Sequence, residues 1–252
     1  NLAEDILGRT ELAGSIREQL NRQRCVFLFG NTAPDVQTIS KQSREETHFF
    51  SLPIQPETPP PWEILTYQYP ALASPLELAS AQSAFLAGYL CHLLADWLWI
   101  KDIYAPVFGP GASWGSFHHR LVIHNVLRTY LDHQALSKLP PEAGACLAEV
   151  APDRWLPFVE DVHLVEWRDF IARQLFPGAA AQTVEVFAGR AGISPQDFYR
   201  LLESEEIMEQ EVFAHIPYNI VIDFQRNLVY ESINLLNTYF SGTVFRRMSS
   251  DP

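Results

Sequence analysis

Apolar residues recur at intervals of three and four along most of the chain, which is the spacing of one face of an α-helix. The alternation of apolar and polar residues that marks a half-buried strand is nearly absent. Segments with helical spacing run over 2–21, about 74–100, about 114–134 and about 220–240. The pattern therefore predicts a mainly α-helical protein.

The most apolar segment runs from Ala84 to Ile100 and reads AFLAGYLCHLLADWLWI. Its length approaches the ~20 apolar residues that span a bilayer, but His92 and Asp96 lie near its middle. We therefore interpret this segment as a central buried helix and expect no transmembrane segment. The glycine- and proline-containing stretch that begins at Ala105 is expected to break the helix.

The composition is that of a large folded domain. Hydrophobic residues make up 47% of the 252 residues and aromatic residues 12%, which is enough to bury a sizeable core. We predict a single domain over 1–252, with a candidate site in about 1–135 and additional helices in about 136–252. Between 40 and 61 the chain is polar and then proline-rich, which predicts a long loop.

The charge of the chain limits its partners. The formal net charge is −12. Nonspecific binding to nucleic acid depends on clustered Lys and Arg, so this charge disfavours stable nucleic-acid binding. An acidic protein can still act on phosphates when metal ions supply the positive charge.

The cysteines predict no disulfide. Cys25, Cys91 and Cys146 are odd in number and widely spaced, so each is expected to be a small buried apolar residue. Unpaired cysteines and the lack of a visible export signal predict a cytoplasmic location. A signal upstream of Asn1 would change that expectation to secretion.

Two polar residues stand out inside the apolar segment. His92 and Asp96 are four residues apart, so on a helix they lie one turn apart on the same face. Burying an unpaired carboxylate or imidazole costs several kcal/mol, on the order of the stability of a domain. Either a bound cation or a hydrogen-bonded His–Asp pair within the core would remove that cost.

Asp35 and His48 can complete a metal site. Asp35 follows an apolar run in FLFGNTAPD, and His48 comes thirteen residues later in THFF. Alone, Asp35 has the ordinary explanation of a turn or capping residue, and His48 that of a half-buried loop histidine. With His92 and Asp96 they supply two imidazoles and two carboxylates, a set that suits zinc or another first-row divalent ion.

The segments FLFGNTAPDVQT, THFF and AFLAGYLCHLLADWLW resemble successive ligand segments of the zinc-dependent phospholipase C family, whose all-helical fold is shared with the S1/P1 nucleases. The resemblance covers about 2–132. It implies a multi-helical single domain of the phospholipase C/P1 nuclease type around the central helix. It also implies that the zinc ligands are Asp35, His48, His92 and Asp96.

The same resemblance implies roles for two of these residues and a reduced metal content. Asp96 would bridge to a second ion, and Asp35 would act as a ligand or as the general base. The family holds a third ion through a histidine six residues after the helix aspartate and a later His-x-x-x-Glu or His-x-x-x-Asp pair. Position 102 is an aspartate, and no histidine of the next helix has an acidic residue four positions later. We therefore expect one or two ions, of zinc or another divalent metal.

Four residues are candidate additional ligands: Asp102, His118, His119 and His124. Asp102 stands where the family has its histidine, and the three histidines lie on the next predicted helix. His124 could equally belong to a polar network with Arg128 and Asp132, which follow at intervals of one helical turn.

The resemblance implies a metal-dependent phosphodiester hydrolase that acts on a phospholipid or another phosphodiester. Two alternatives remain open from the sequence. The first is a noncatalytic helical module, for binding or structure, that descends from the same fold. The second is a nuclease, which the shared fold favours and the acidic charge disfavours.

Overall fold

The computed structural model describes residues 2–176, 184, 188–189 and 192–242. All regular secondary structure in these residues is helical, and they contain no strand. The prediction of a mainly α-helical protein is confirmed.

The described residues form thirteen α-helices, three of them of five residues or fewer. They are α1 (Leu2–Leu7), α2 (Gly14–Arg22), α3 (Arg24–Gly30), α4 (Gln37–Ser40), α5 (Arg44–His48), α6 (Pro61–Gln68), α7 (Ser80–Leu98), α8 (Phe117–Leu136), α9 (Ala143–Ala148), α10 (Asp161–Leu175), α11 (Pro195–Glu203), α12 (Glu205–Ile207) and α13 (Tyr218–Ser241). Two 3₁₀ turns, Ala33–Val36 and Pro70–Ala73, and two π-helical segments, Trp99–Phe108 and Met208–Phe213, lie between them.

The central helix is longer than predicted. After α7 the chain continues without a break as the π-helical segment Trp99–Phe108, which passes through Pro106. The expected break at Ala105 is therefore wrong, and the segment ends instead at Gly109, whose N–H donates to the carbonyl of Tyr104. Wider π turns leave room for a proline that an α-helix interior would not accept.

The predicted loop between 40 and 61 contains a short helix. Ser43 caps α5: its hydroxyl accepts from the N–H of Glu46, while the Glu46 carboxylate accepts from the N–H of Ser43. This reciprocal capping box stabilises a one-turn helix that has few apolar positions. The prediction of a loop is wrong for these residues, and the Ser-x-x-Glu spacing is the signal that would have corrected it.

The central position of α7 is confirmed. Most of its side chains between Ser83 and Leu94 are buried, and α3 packs along it. One helix among the described residues, Ser80–Phe108, is long and apolar enough to cross a membrane, but 67% of the relevant window is buried inside the protein. Such burial is the pattern of a core helix rather than of a lipid-facing one.

The buried apolar residues of the described chain form two clusters. The first contains α1–α3, most of α7, α9, α10 and the C-terminal part of α13. The second contains the π-helical segment Trp99–Phe108, α8 and α11. Because α7 with its π-helical continuation and α13 contribute residues to both clusters, these two long elements join them.

The expectation of no disulfide is wrong. Cys25 on α3 and Cys146 on α9 form a disulfide across 121 residues of sequence, and only Cys91 is a buried free thiol. Packing of α3 against α9 brings the two cysteines together, and no spacing rule in the sequence reports that contact. The argument from unpaired cysteines to a cytoplasmic location therefore no longer stands.

Loss of this bond is expected to destabilise the protein. A Cys25→Ser/Cys146→Ser variant should lose about 2–4 kcal/mol of unfolding free energy in urea, because the disulfide closes a long loop in the unfolded chain. Reductant should lower the stability of the wild type to that of the variant and leave the variant unchanged. Denatured, unreduced wild type should show one free thiol, Cys91; three free thiols would contradict the pairing.

Candidate metal centre

Asp35 is placed by a short turn after α3. The 3₁₀ turn Ala33–Val36 begins with Pro34 near its first position, which favours the required backbone angle. The indole N–H of Trp167 on α10 donates to the carbonyl of Thr32 at 2.8 Å. This bond anchors the start of the turn, so the Asp35 carboxylate extends from a fixed backbone.

His48 is the last residue of α5 and its side chain is fully buried. The helix ends because Phe49 adopts a left-handed conformation, with φ of 61°. The hydroxyl of Tyr89 on α7 donates to the carbonyl of Thr47 at 2.5 Å. That contact holds the end of α5 against the central helix.

His92 and Asp96 lie one turn apart on α7, as their spacing predicts. Nδ1 of His92 is 2.8 Å from the main-chain oxygen of Asn31, at the end of α3. Because the carbonyl can only accept, Nδ1 carries the proton and Nε2 carries a free lone pair. The close packing of α3 and α7 thus sets the tautomer of His92.

The tautomer of His48 follows from similar reasoning. Its Nδ1 lies 3.0 Å from the hydroxyl oxygen of Thr47, and that hydroxyl donates its only proton to the carbonyl of Arg44. When the hydroxyl donates to that carbonyl it accepts from Nδ1, and Nε2 of His48 then has a free lone pair, which is the tautomer that can bind a metal. Orientation of a histidine through its other ring nitrogen is the usual support of a metal ligand.

The four side chains converge. Nε2 of His48 lies 3.6 Å from Oδ1 of Asp35 and 3.5 Å from Oδ2 of Asp96. Nε2 of His92 lies 4.0 Å from Oδ2 of Asp35 and 3.9 Å from Oδ2 of Asp96. With bonds of about 2.1 Å, neighbouring ligand atoms of a tetrahedral metal site lie about 3.4 Å apart. The observed separations are close to that value and too long for hydrogen bonds.

The ligand atoms of Asp35, His48 and His92 all lie within 4.8 Å of one another, so this group can hold a metal ion. Nε2 of both histidines is buried and has no hydrogen-bond partner among the described residues. Leaving buried polar atoms unpaired is costly. A cation between the two nitrogens and the carboxylates would satisfy both of them.

The protonation states suit metal binding. Burial, helped by the charge of Arg44, lowers the pKa of His48 and keeps its imidazole neutral. Burial acts to raise the pKa of Asp35, but His48 and His92 in their protonated forms, together with Arg128, outweigh it and bring that pKa well below its usual range. A metal cation would take the place of those protons. The centre therefore offers a neutral imidazole and an ionised carboxylate, the forms that bind metals.

Arg44 contacts the fourth member of the set. Its Nη2 forms an ion pair and hydrogen bond with Oδ2 of Asp96, the same oxygen that faces His48 and His92. Its guanidinium carbon lies 4.6 Å above the ring of Phe50. Sequence reasoning missed Arg44, although its position one turn before His48 on the same helix was a usable signal.

The candidate additional ligands lie apart from the group formed by Asp35, His48 and His92. Asp102 and His118 are exposed, and His119 lies 3.4 Å from the carboxylate of Glu211. His124 is buried, and its Nε2 accepts from the indole N–H of Trp99 at 2.8 Å. Burial lowers the pKa of His124 to about 3, so this imidazole is a neutral part of an aromatic cluster.

A cavity of about 470 Å³ adjoins the centre. Its lining is mainly aliphatic, and it includes Asn31, which supports His92, and Ala95, which precedes Asp96. Asp132 is the single acidic residue among the described residues that line it, and burial raises the pKa of that carboxyl. The lining does not include any of the four side chains that converge in the centre, so the cavity is a neighbouring space that suits an apolar group.

Comparisons with known proteins identify no relative of this chain. The centre is built from four short pieces of chain: the end of α3, the 3₁₀ turn that follows, α5 and one face of α7. No protein-family model, curated protein or solved structure matches the chain.

Proposed function

We propose that the protein is a metal-dependent phosphodiester hydrolase whose centre is formed by Asp35, His48, His92 and Asp96. The observation that carries the proposal is the pair of buried Nε2 atoms of His48 and His92, which have no hydrogen-bond partner among the described residues and face two carboxylates. Two imidazoles and two carboxylates are a donor set that suits zinc. We also propose that the helical fold is of the phospholipase C/P1 nuclease type.

The positions of the residues suggest a separate role for each. A bound divalent ion would polarise a phosphoryl oxygen and lower the pKa of a water molecule toward neutrality. Asn31 and Thr47 hold the two imidazoles with their lone pairs directed inward. The side chain of Asp35 is 46% exposed and ionised, with Oδ1 facing His48 and Oδ2 facing His92. It would therefore bind the ion through one oxygen and accept a proton from an attacking water through a lone pair of the other.

The substrate is proposed to be a phosphodiester that carries an apolar group, such as a phospholipid. The cavity beside Asn31 and Ala95 supports this choice because its mainly aliphatic lining suits a hydrocarbon chain. The net charge of −12 argues against a long nucleic acid, whose binding needs many cationic contacts. One or two ions are expected, since the candidate additional ligands lie outside the group.

One observation favours a noncatalytic module as the second candidate. Arg44 already neutralises Asp96, so a carboxylate of the set has a cationic partner without any metal. A module of this kind would keep its fold and melting temperature in chelator.

Metal removal tests the proposal against this alternative. Purified protein is expected to carry zinc and to hydrolyse a bis-aryl phosphodiester, with turnover lost in chelator and restored by zinc. Parallel assays with phospholipid vesicles and single-stranded nucleic acid identify the substrate class. A metal-free protein that is inert on all three substrates and melts identically with and without zinc would contradict the proposal.

A further inference from the structure

We propose that Arg44 supplies a second positive charge to the centre and that its guanidinium binds an oxygen of the substrate phosphate. The inference rests on the proposed function and deepens it by naming a residue that binds the anion. The side chain of Arg44 is 28% exposed, but its Nη1 is buried, so a phosphate would reach Nη1 only by entering the centre itself.

The guanidinium is held in a fixed orientation. Arg44 is the first residue of α5, directly after the capping residue Ser43. Nη2 contacts Asp96, and the ring of Phe50 covers one face of the guanidinium at 4.6 Å. Phe50 is itself buried and packs edge-on against Trp97, with 5.4 Å between ring centroids. The side chain is therefore preorganised before any ligand arrives.

One end of the guanidinium has no partner. Nη1 of Arg44 is buried and makes no hydrogen bond to the described residues. Six buried side-chain atoms of the described residues are in this state, and three of them belong to this centre: Nη1 of Arg44 and Nε2 of His48 and His92. A metal ion with a phosphate bound to it would satisfy all three, the imidazoles through the cation and Nη1 through an anionic oxygen.

The charges of the centre favour an additional cation. The two carboxylates of Asp35 and Asp96 cancel the charge of one divalent ion, so a phosphate would be held by coordination to that ion without help from a net positive charge. Arg44 makes the loaded centre positive by one charge within a protein of formal net charge −12. Arginine is well suited to this task because its planar group binds phosphate with directed hydrogen bonds.

Binding of inorganic phosphate to the zinc-loaded protein, measured by calorimetry, tests this role. Arg44→Gln is expected to weaken phosphate binding about 10- to 100-fold, because a charge-assisted hydrogen bond and a positive charge are lost. Arg44→Lys keeps the positive charge but lacks the planar guanidinium, so its phosphate affinity should be intermediate. If Arg44→Gln does not fold, Arg44→Lys still tests the role. Zinc should bind at one ion per chain in the wild type and no more weakly in either variant.

Arg24→Gln is the matched control. Arg24 has the same exposure, 27% at its side chain, and a similar ion pair with Glu4 at 2.7 Å, but it lies outside the centre. It should leave phosphate affinity unchanged. One outcome would overturn the role of Arg44 and leave the proposed function intact. In that outcome the protein binds zinc and hydrolyses a phosphodiester, but Arg44→Gln and Arg44→Lys have the same phosphate affinity as Arg24→Gln. Two tightly bound zinc ions in the wild type would also overturn it, whereas no zinc binding would overturn the proposed function and this role together.

Discussion

Replacing His92 with alanine is expected to weaken zinc binding by more than about 100-fold and to reduce phosphodiester turnover to the background rate. Changes in residues that merely orient a metal ligand cost 10- to 100-fold, so loss of a ligand should cost more. The imidazole of His92 supplies one of the two buried lone pairs around which the centre is built. Zinc content by elemental analysis and turnover of a bis-aryl phosphodiester measure the two effects.

Thermal unfolding separates a lost ligand from a damaged fold. Zinc at 100 times its dissociation constant should stabilise the wild type by about 2.7 kcal/mol and His92→Ala by almost nothing. His163→Ala is the control, because His163 is partly exposed, faces Glu166 at 3.7 Å and lies outside the centre. His163→Ala should retain zinc and activity. Turnover that survives in His92→Ala would contradict the proposed function.

Local patterns in the sequence predict the long helices well. The helix expected at about 220–240 is observed as Tyr218–Ser241, and the one at about 114–134 as Phe117–Leu136. In both, an apolar stripe of helical period is buried against the core, so propensity and packing favour the same structure. The segment 2–21 instead forms two helices, because the chain turns between Leu7 and Gly14. Glycines near both ends of that turn are the sequence signal for it.

Some contacts of the site can be predicted from local sequence spacing and others cannot. The juxtaposition of His92 and Asp96 follows from helical spacing alone. The approach of Asp35 and His48 depends on how α3, α5 and α7 pack, and it was expected from the donor types of the four residues and from the family resemblance. The contact between Arg44 and Asp96 joins residues 52 positions apart, and the disulfide joins residues 121 positions apart. No periodicity encodes such pairs, because tertiary packing determines them.

Gly88→Ala is expected to destabilise the protein by about 4–5 kcal/mol, the upper end for a single substitution. A Cβ atom at Gly88 would lie 2.3 Å from the carbonyl oxygen of Phe27 and 2.8 Å from the backbone nitrogen of Asn31. These are backbone atoms of the α3 region, so no side-chain rotation can relieve the overlap. The helices must move apart, and urea unfolding should show a much lower midpoint than the wild type.

The same substitution should also impair the metal centre, because the backbone that the new methyl group displaces includes Asn31, whose carbonyl holds Nδ1 of His92. Zinc affinity is therefore expected to fall along with stability, although no ligand has been changed. Gly14→Ala is the control: a Cβ atom there meets nothing within 4 Å, and alanine favours helix at the start of α2. An unfolding midpoint and zinc affinity in Gly88→Ala equal to those of Gly14→Ala would show that the close approach of α3 and α7 does not support the site.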